Sequence, residues 1–367
     1  MGAVSTVHLS PASGTLTEAR ARALAARGRF VASMGLLAAV LFVVVIIATA
    51  LGPVSIAPLR VWNIIAAELG LPLGAVDSER DVAVVMQLRL PRILLAAICG
   101  AALAVAGAAL QAVFRNPLAE PGVTGVSSGA SLGAVAVLYW DLDAWHPLVL
   151  PLGAFFAAAA TVAVVYGIAA GTNRSSVATL VLVGLAINAF LSGVVSAFVA
   201  NARNEQEIRS IIFWLQGGLE ARTWEHVRLA LPPVLVGVAG LVAVGRDLNL
   251  LLLGDDLATS AGVAVRPVRW LILGLCALVT GAAVAVTGVI SFVGLVIPHA
   301  LRLVIGTDSR VLLPASALAG ASFLVICDTI ARMAFQPVTL QVGVVTSLIG
   351  GPLFLGLVIR TRKEFAL

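Results

Sequence analysis

Lysine is almost absent from this chain: among its 23 lysines and arginines, Lys363 is the only lysine. Charged residues as a whole fill 11% of the 367 positions, whereas a water-soluble domain carries about a quarter. Two function classes fall with these absences. A phosphate-binding loop of the G-x-x-x-x-G-K-[ST] kind needs a lysine that reaches the nucleotide phosphates, and Lys363 stands in Arg362-Lys363-Glu364, outside any such loop. ATP hydrolysis is therefore expected in another chain. Nor does the net charge of +5 read as a nucleic-acid footprint. Most of the basic residues flank apolar runs, where they set membrane orientation.

Cysteine and histidine are scarce too, at three and four residues. Cys99, Cys276 and Cys327 lie in apolar runs, and their spacing suits neither a zinc site nor a disulfide framework. They read as small buried hydrophobes. His8, His146, His226 and His299 show no paired-ligand spacing, so no metal site is expected. No cleavable signal is expected either. Residues 1–29 carry Arg20, Arg22, Arg27 and Arg29, and the apolar run from Phe30 to Leu51 is long for a cleaved core. It reads as a retained first helix behind a disordered cytoplasmic tail.

What the chain does contain is apolar surface. Hydrophobic residues make up 60% and the mean hydropathy is +1.07, so the fold class is an all-α polytopic membrane protein. With about 20 apolar residues per crossing, about ten spans fit, near 30–51, 91–114, 124–140, 148–170, 176–200, 229–245, 267–288, 289–306, 311–331 and 340–359. A short tail, 361–367, follows the membrane domain 30–360. Arg115, Arg174, Arg246, Arg266, Arg269, Arg302, Arg310, Arg360, Arg362 and Lys363 share one side with the N-terminal arginines, and the positive-inside bias makes that side cytoplasmic.

One apolar segment occurs twice. Gly100-Ala-Ala-Leu-Ala-Val-Ala-Gly107 returns as Gly281-Ala-Ala-Val-Ala-Val-Thr-Gly288, and Pro117 falls opposite Pro298 at the same offset. With ten spans the two copies run in opposite directions, an inverted repeat pairing spans two to five with seven to ten. Repeated, Gly- or Pro-interrupted membrane segments point to transport. Small residues at spacings of three and four also let helix backbones approach closely.

Two other stretches carry charge. Pro91 suits the first turn of a helix, which leaves Arg89 and Arg92 at the positive end of the helix dipole, where cations are disfavoured. A carboxylate partner offsets that cost; snorkelling or a pair with Asp81 is the competing reading. Between two spans, Gly254-Asp255-Asp256-Leu257-Ala258-Thr259-Ser260-Ala261-Gly262 reads as a short helix with acids at its start and a glycine at its end. It is either a surface for a cytosolic partner or an ordinary connector. Asp328 stands four residues before Arg332, a spacing that favours a helical ion pair.

Leu88-Arg89-Leu90-Pro91-Arg92, Asn116-Pro117-Leu118-Ala119-Glu120-Pro121-Gly122 and Gly294-Leu295-Val296-Ile297-Pro298-His299 together resemble the FecCD-type permeases, the membrane subunits of ATP-binding-cassette importers for iron-siderophores, haem and cobalamin. The resemblance covers about residues 30–360. It implies the type II importer fold and a bacterial inner-membrane location with both termini cytoplasmic. It also implies a second permease subunit, identical or paralogous, two cytosolic ATPases that hold ATP and Mg, and an extracytoplasmic binding protein. No cofactor is implied for this chain. By position, Arg89, Arg92 and Arg332 match docking arginines; Gly254, Asp255, Asp256, Ala258 and Gly262 match the ATPase coupling loop; Asn116, Leu118, Val177 and Ala178 match a cytoplasmic gate. Thr259 stands where many relatives carry a basic residue, and Val177 and Ala178 where they often carry hydroxyls.

Competing signals are thinner. Gly125-Val-Ser127-Ser-Gly129 matches the G-x-S-x-G elbow of hydrolases, but that motif needs a strand-turn-helix setting, and here it opens a membrane helix. An ion-coupled transporter needs intramembrane acids, and the spans offer little beyond Asp328. Trp214 reads as an interface anchor. The leading expectation is a permease subunit for a ferric siderophore, with haem, cobalamin or ion-coupled transport as alternatives.

Overall fold

Among the described residues every regular element is helical, as a hydrocarbon surround requires: a helix satisfies its backbone polar groups within one segment. The chain's computed structural model describes residues 13–71, 74, 78–171, 177–334 and 338–365. Residues 1–12, 366 and 367, in the segments read as tails, lie outside these. Helix α1 spans Ser13–Ala50 and so begins inside the N-terminal segment read as a tail. Two helices follow in the loop 52–90: α2 (Pro58–Glu68), with proline in its first turn, and α3 (Glu79–Ala83), capped by Ser78 Oγ accepting from Asp81 N at 3.2 Å. A π-helical stretch, Val84–Arg89, leads without a break into α4 (Leu90–Val113).

Helices α5 (Val126–Tyr139), α6 (Val149–Gly171) and α7 (Val177–Ala200) complete the first half. Then α8 (Glu205–Leu215) precedes α9 (Trp224–Ala243), and α10 (Gly245–Leu253) and α11 (Asp255–Ser260) form a compact connector. The second half is α12 (Val265–Thr287), α13 (Val293–Ile305), α14 (Ser309–Met333) and α15 (Val342–Phe365). Helix α15 runs on through most of the segment read as the C-terminal tail. Among the described residues seven helical segments are long and apolar enough to cross a membrane, and three shorter ones, Val126–Tyr139, Val293–Ile305 and Val342–Gly356, sit at the remaining expected positions. Length and composition do not by themselves make those three crossings.

The repeated segment forms α4 and α12, and the two helices are antiparallel. Cys99 Sγ lies 3.9 Å from Ala283 O, and Cys276 Sγ lies 3.7 Å from Ala106 O, so α4 ascends in number as α12 descends. All three cysteines are buried and unpaired. Packing is reciprocal: α4 lies on α13 and α14 of the second half, and α12 lies on α5 and α6 of the first. Each half lends its first helix to the other. The proline alignment, however, does not hold. Residues 114–125 join α4 to α5 whereas only 288–292 join α12 to α13, so Pro117 falls in a connector and Pro298 inside α13.

Glycine is what allows these helices to touch. A Cβ at Gly100 would stand 2.8 Å from Leu324 Cβ and would strike the Gly320 carbonyl. One at Gly107 would meet the Gly294 backbone, 2.5 Å from its C and Cα. Backbone cannot yield as a flexible side chain does, and overpacking of this kind costs about 1–3 kcal/mol. Gly107→Ala is therefore expected to lower the thermal midpoint of the detergent-solubilised protein. Gly274→Ala, on α12 with nothing within 4 Å of its Cβ position, serves as the control and leaves the midpoint unchanged or raised, because alanine favours helix by up to about 1 kcal/mol.

Candidate functional site

Helix α4 carries an arginine network at each end. Arg92 and Arg115 are separated by about 35 Å at 1.5 Å per helical residue, enough to place them on opposite faces of a bilayer's apolar core.

At the first end, α1 stops at Ala50 and leaves carbonyls without helical partners. Arg89, buried at 7% exposure, donates to Thr49 O at 2.8 Å, to Ala50 O at 3.2 Å and to Val54 O. Arg332 adds bonds to Ala48 O at 3.1 Å and Leu51 O at 3.3 Å. Two cations thus cap the negative end of α1, where the helix dipole favours them. Gly52 leaves the room: a Cβ there would stand 2.8 Å from Arg89 Cζ. The sequence places Arg89 at the unfavourable end of α4; the structure turns it to the favourable end of α1.

Asp328, fully buried on α14, joins the other two arginines. Arg92 Nη2 lies 2.8 Å and Arg92 Nε 3.0 Å from Asp328 Oδ1, while Arg332 Nε lies 3.1 Å from Oδ2. The expected pair of Asp328 with Arg332 is present, and Arg92 is the addition that local spacing could not reveal. Asp81, the alternative partner considered for Arg89 and Arg92, instead pairs with Arg60 at 3.0 Å.

The opposite end of α4 meets the α10–α11 connector. Gly254 (φ +122, ψ 154) separates these two helices in a conformation open only to glycine, and Gly262 (φ +87) ends the connector. Ala258 is fully buried and faces inward, whereas Asp256 and Leu257, the latter 60% exposed, face solvent with Leu253. Arg115 has left-handed backbone (φ +48) just beyond α4, at a cost of about 1–2 kcal/mol for a residue with a Cβ. It donates through Nε to Leu251 O at 2.9 Å and through Nη2 to the Asp255 carboxylate. Arg269 of α12 reaches the same carboxylate at 2.9 Å. Asn249 Oδ1 accepts from Ser309 N at 2.8 Å, tying α10 to α14.

Burial opposes ionisation of Asp255, but its bond to Arg269 and the charges of Arg269 and Arg115 outweigh it and hold the carboxyl below its ordinary range. A depressed folded-state pKa means that the network is complete above the usual aspartate value of about 4. It is lost only as pH falls through the lower folded value.

The four expected gate residues are only partly described. Asn116 Oδ1 accepts from Leu118 N at 2.9 Å, and Leu118 is exposed. Val177 and Ala178 open α7, but their side chains lie outside the described residues. Farther along α7, Asn188 Nδ2 donates to Gly122 O at 3.1 Å and fastens that helix to the connector after Leu118. Trp214, read as an interface anchor, is instead buried against residues of α5, α6 and α12.

Removing one partner from a buried ion pair leaves uncompensated charge and costs about 3–5 kcal/mol. Asp328→Asn, which leaves Arg92 and Arg332 facing each other without a carboxylate, is expected to lower the unfolding midpoint in detergent sharply. Arg209→Ala, which breaks an exposed pair with Glu205, is expected to change it little.

Comparison with known proteins agrees with this architecture. The profile of the FecCD transport family matches residues 40–360. The chain is 44% identical to the cobalamin import system permease protein BtuC of Halobacterium salinarum, over 83% of this chain and 81% of that one. It is 42% identical to the hemin transport system permease protein HmuU of Yersinia pestis, over 76% and 84%. With the Fe(3+) dicitrate transport system permease protein FecD of Escherichia coli the identity is 40%, over 76% and 86%. A solved ABC transporter chain in an inward-facing conformation superposes with a TM-score of 0.79 at 30% identity, covering 89% of this chain and 98% of that one. This multi-pass membrane chain belongs to the FecCD transport family, as the permease subunit of an ATP-binding-cassette importer whose ATPase is a separate subunit.

Proposed function

We propose that the chain imports an intact metal chelate, with a ferric siderophore as the first candidate and cobalamin or haem as the alternatives. The observation that supports this is shared chemistry. Relatives at 40–44% identity are named for cobalamin, hemin and ferric dicitrate, each a metal ion wrapped in an organic ligand. The chain performs no covalent step on its cargo.

In this reading the Asp328 end of α4 faces outward in a bacterial inner membrane and the Asp255 end faces the cytoplasm, with both termini. An extracytoplasmic binding protein docks over the mouth framed by Arg89, Arg92 and Arg332. Asp328 holds two of these guanidiniums in place, and Arg89 secures the corner after α1. A second permease subunit completes the pathway. Two ATPases, which carry ATP and Mg, seat against the exposed side of the loop Gly254, Asp255, Asp256, Ala258 and Gly262. Leu253 and Leu257 are the apolar anchors on that side. Asn116, Leu118, Val177 and Ala178 close the cytoplasmic exit by apolar packing.

The test is uptake into liposomes holding the chain with its cognate ATPase and binding protein. Accumulation of ferric siderophore, with ATP supplied on the ATPase side, is the expected result. Accumulation of haem or cobalamin alone moves the assignment to that chelate. Uptake that persists without ATP contradicts the reading. Leu257→Asp, which puts a charge on the proposed ATPase seat, is expected to reduce ATPase co-purification about tenfold or more, as loss of a central apolar anchor does.

A further inference from the structure

Asp255, unlike Asp256 and Leu257, is bonded back to the membrane domain through its side chain. Its carboxylate turns back toward the membrane domain and accepts from Arg115, just past the end of α4, and from Arg269, one turn into α12. These are the two copies of the repeated helix, and they meet the connector through one shared acceptor. Among the described residues the connector's other side-chain hydrogen bonds to the membrane helices are one-sided: Arg115 Nε on Leu251 O reaches α4, and Asn249 with Asp308 and Ser309 reaches α14.

We infer that Asp255 is a positioning residue that ties the connector to both repeat helices at once, so that a push on α11 moves the ends of α4 and α12 together. The inference rests on the importer reading and divides its loop in two: Asp256 and Leu257 receive the ATPase, and Asp255 passes the motion on. The exposure of the Asp255–Arg115 pair argues for transmission over stability. The side chains of Asp255 and Arg115 are 49% and 43% exposed, against 18% for Arg269, and exposed ion pairs contribute little to folding. What they fix is register. The left-handed backbone at Arg115 aims its side chain at the connector, and Arg269 closes on both carboxylate oxygens at 2.9 Å. Arg269 Nε is buried with no hydrogen-bond partner among the described residues, so the carboxylate is what holds this guanidinium.

The test uses the complete importer in liposomes, with chelate uptake and ATP hydrolysis measured on the same preparation. Asp255→Ala is expected to lower uptake per ATP hydrolysed by roughly three- to thirty-fold, the range over which residues in a coupling network act. Its ATPase stoichiometry is expected to match the wild type, and its unfolding midpoint to fall only slightly, as the largely buried Arg269 loses its carboxylate partner. The double variant Asp255→Ala with Arg269→Ala is expected to be no worse than Asp255→Ala alone, because the bonds of Arg269 to the connector both end on the Asp255 carboxylate and are already lost in the single variant. A wild-type ratio in Asp255→Ala overturns the inference. So does loss of the ATPase, as expected for Leu257→Asp, since that places Asp255 on the docking surface; a collapsed unfolding midpoint, which marks a structural role, does the same. Wild-type uptake without ATP overturns the importer reading and this role with it.

Discussion

Backbone-to-backbone approach at α4 is the constraint from which the rest of the structure follows. Gly100 against Gly320 and Gly107 against Gly294 leave no space for a Cβ, so α4 is held by atoms that cannot change rotamer. In lipid there is little hydrophobic drive to bring helices together, and close packing of small residues takes its place. The outcome is a helix surrounded by the second half of the chain, with its counterpart α12 embedded in the first. A domain interlocked in this way transmits displacement along its length, because close-packed interiors do not absorb strain.

Charge is then confined to the two ends of that core. At one end Arg89 and Arg332 cap the carbonyls that close α1, and Asp328 balances Arg92 and Arg332. At the other, Asp255 balances Arg115 and Arg269. Both networks bind helix ends from distant parts of the chain, and both use a carboxylate shared by two arginines. A permease needs such an arrangement: an apolar, tightly fitted middle, with polar ends where soluble partners are met. The single lysine of the sequence fits the same division of labour, since the ATP-driven step belongs to a separate subunit.

The long helices are legible because hydropathy alone marks them, and the repeat of Gly100–Gly107 at Gly281–Gly288 marks α4 and α12 in the sequence itself. Their opposite direction followed from counting spans, and the Cys99 and Cys276 contacts bear it out. Helices α2 and α8 were missed because they are short and lie in loops of mixed polarity, where no long apolar run announces them. The Asp328–Arg332 pair was visible at a spacing of four. Arg92 with Asp328 spans 236 residues and Arg115 with Asp255 spans 140, distances at which no local pattern exists. Arg115 and Arg269 looked like orientation charges only. The proline match failed because a fixed offset takes no account of a shorter connector.

On the proposed mechanism, drive delivered at the Asp255 end reshapes the pathway helices while the α4 core stays interlocked. A pulsed electron-spin distance between labels at Val304→Cys on α13 and Leu182→Cys on α7 reads this motion. Both positions are well exposed and lie away from the ATPase seat, and the three native cysteines are buried, so labelling is selective. In the importer assembled with its ATPase, addition of ATP is expected to shift that distance distribution to a second, resolved population. A distribution that ATP leaves unchanged would contradict the account.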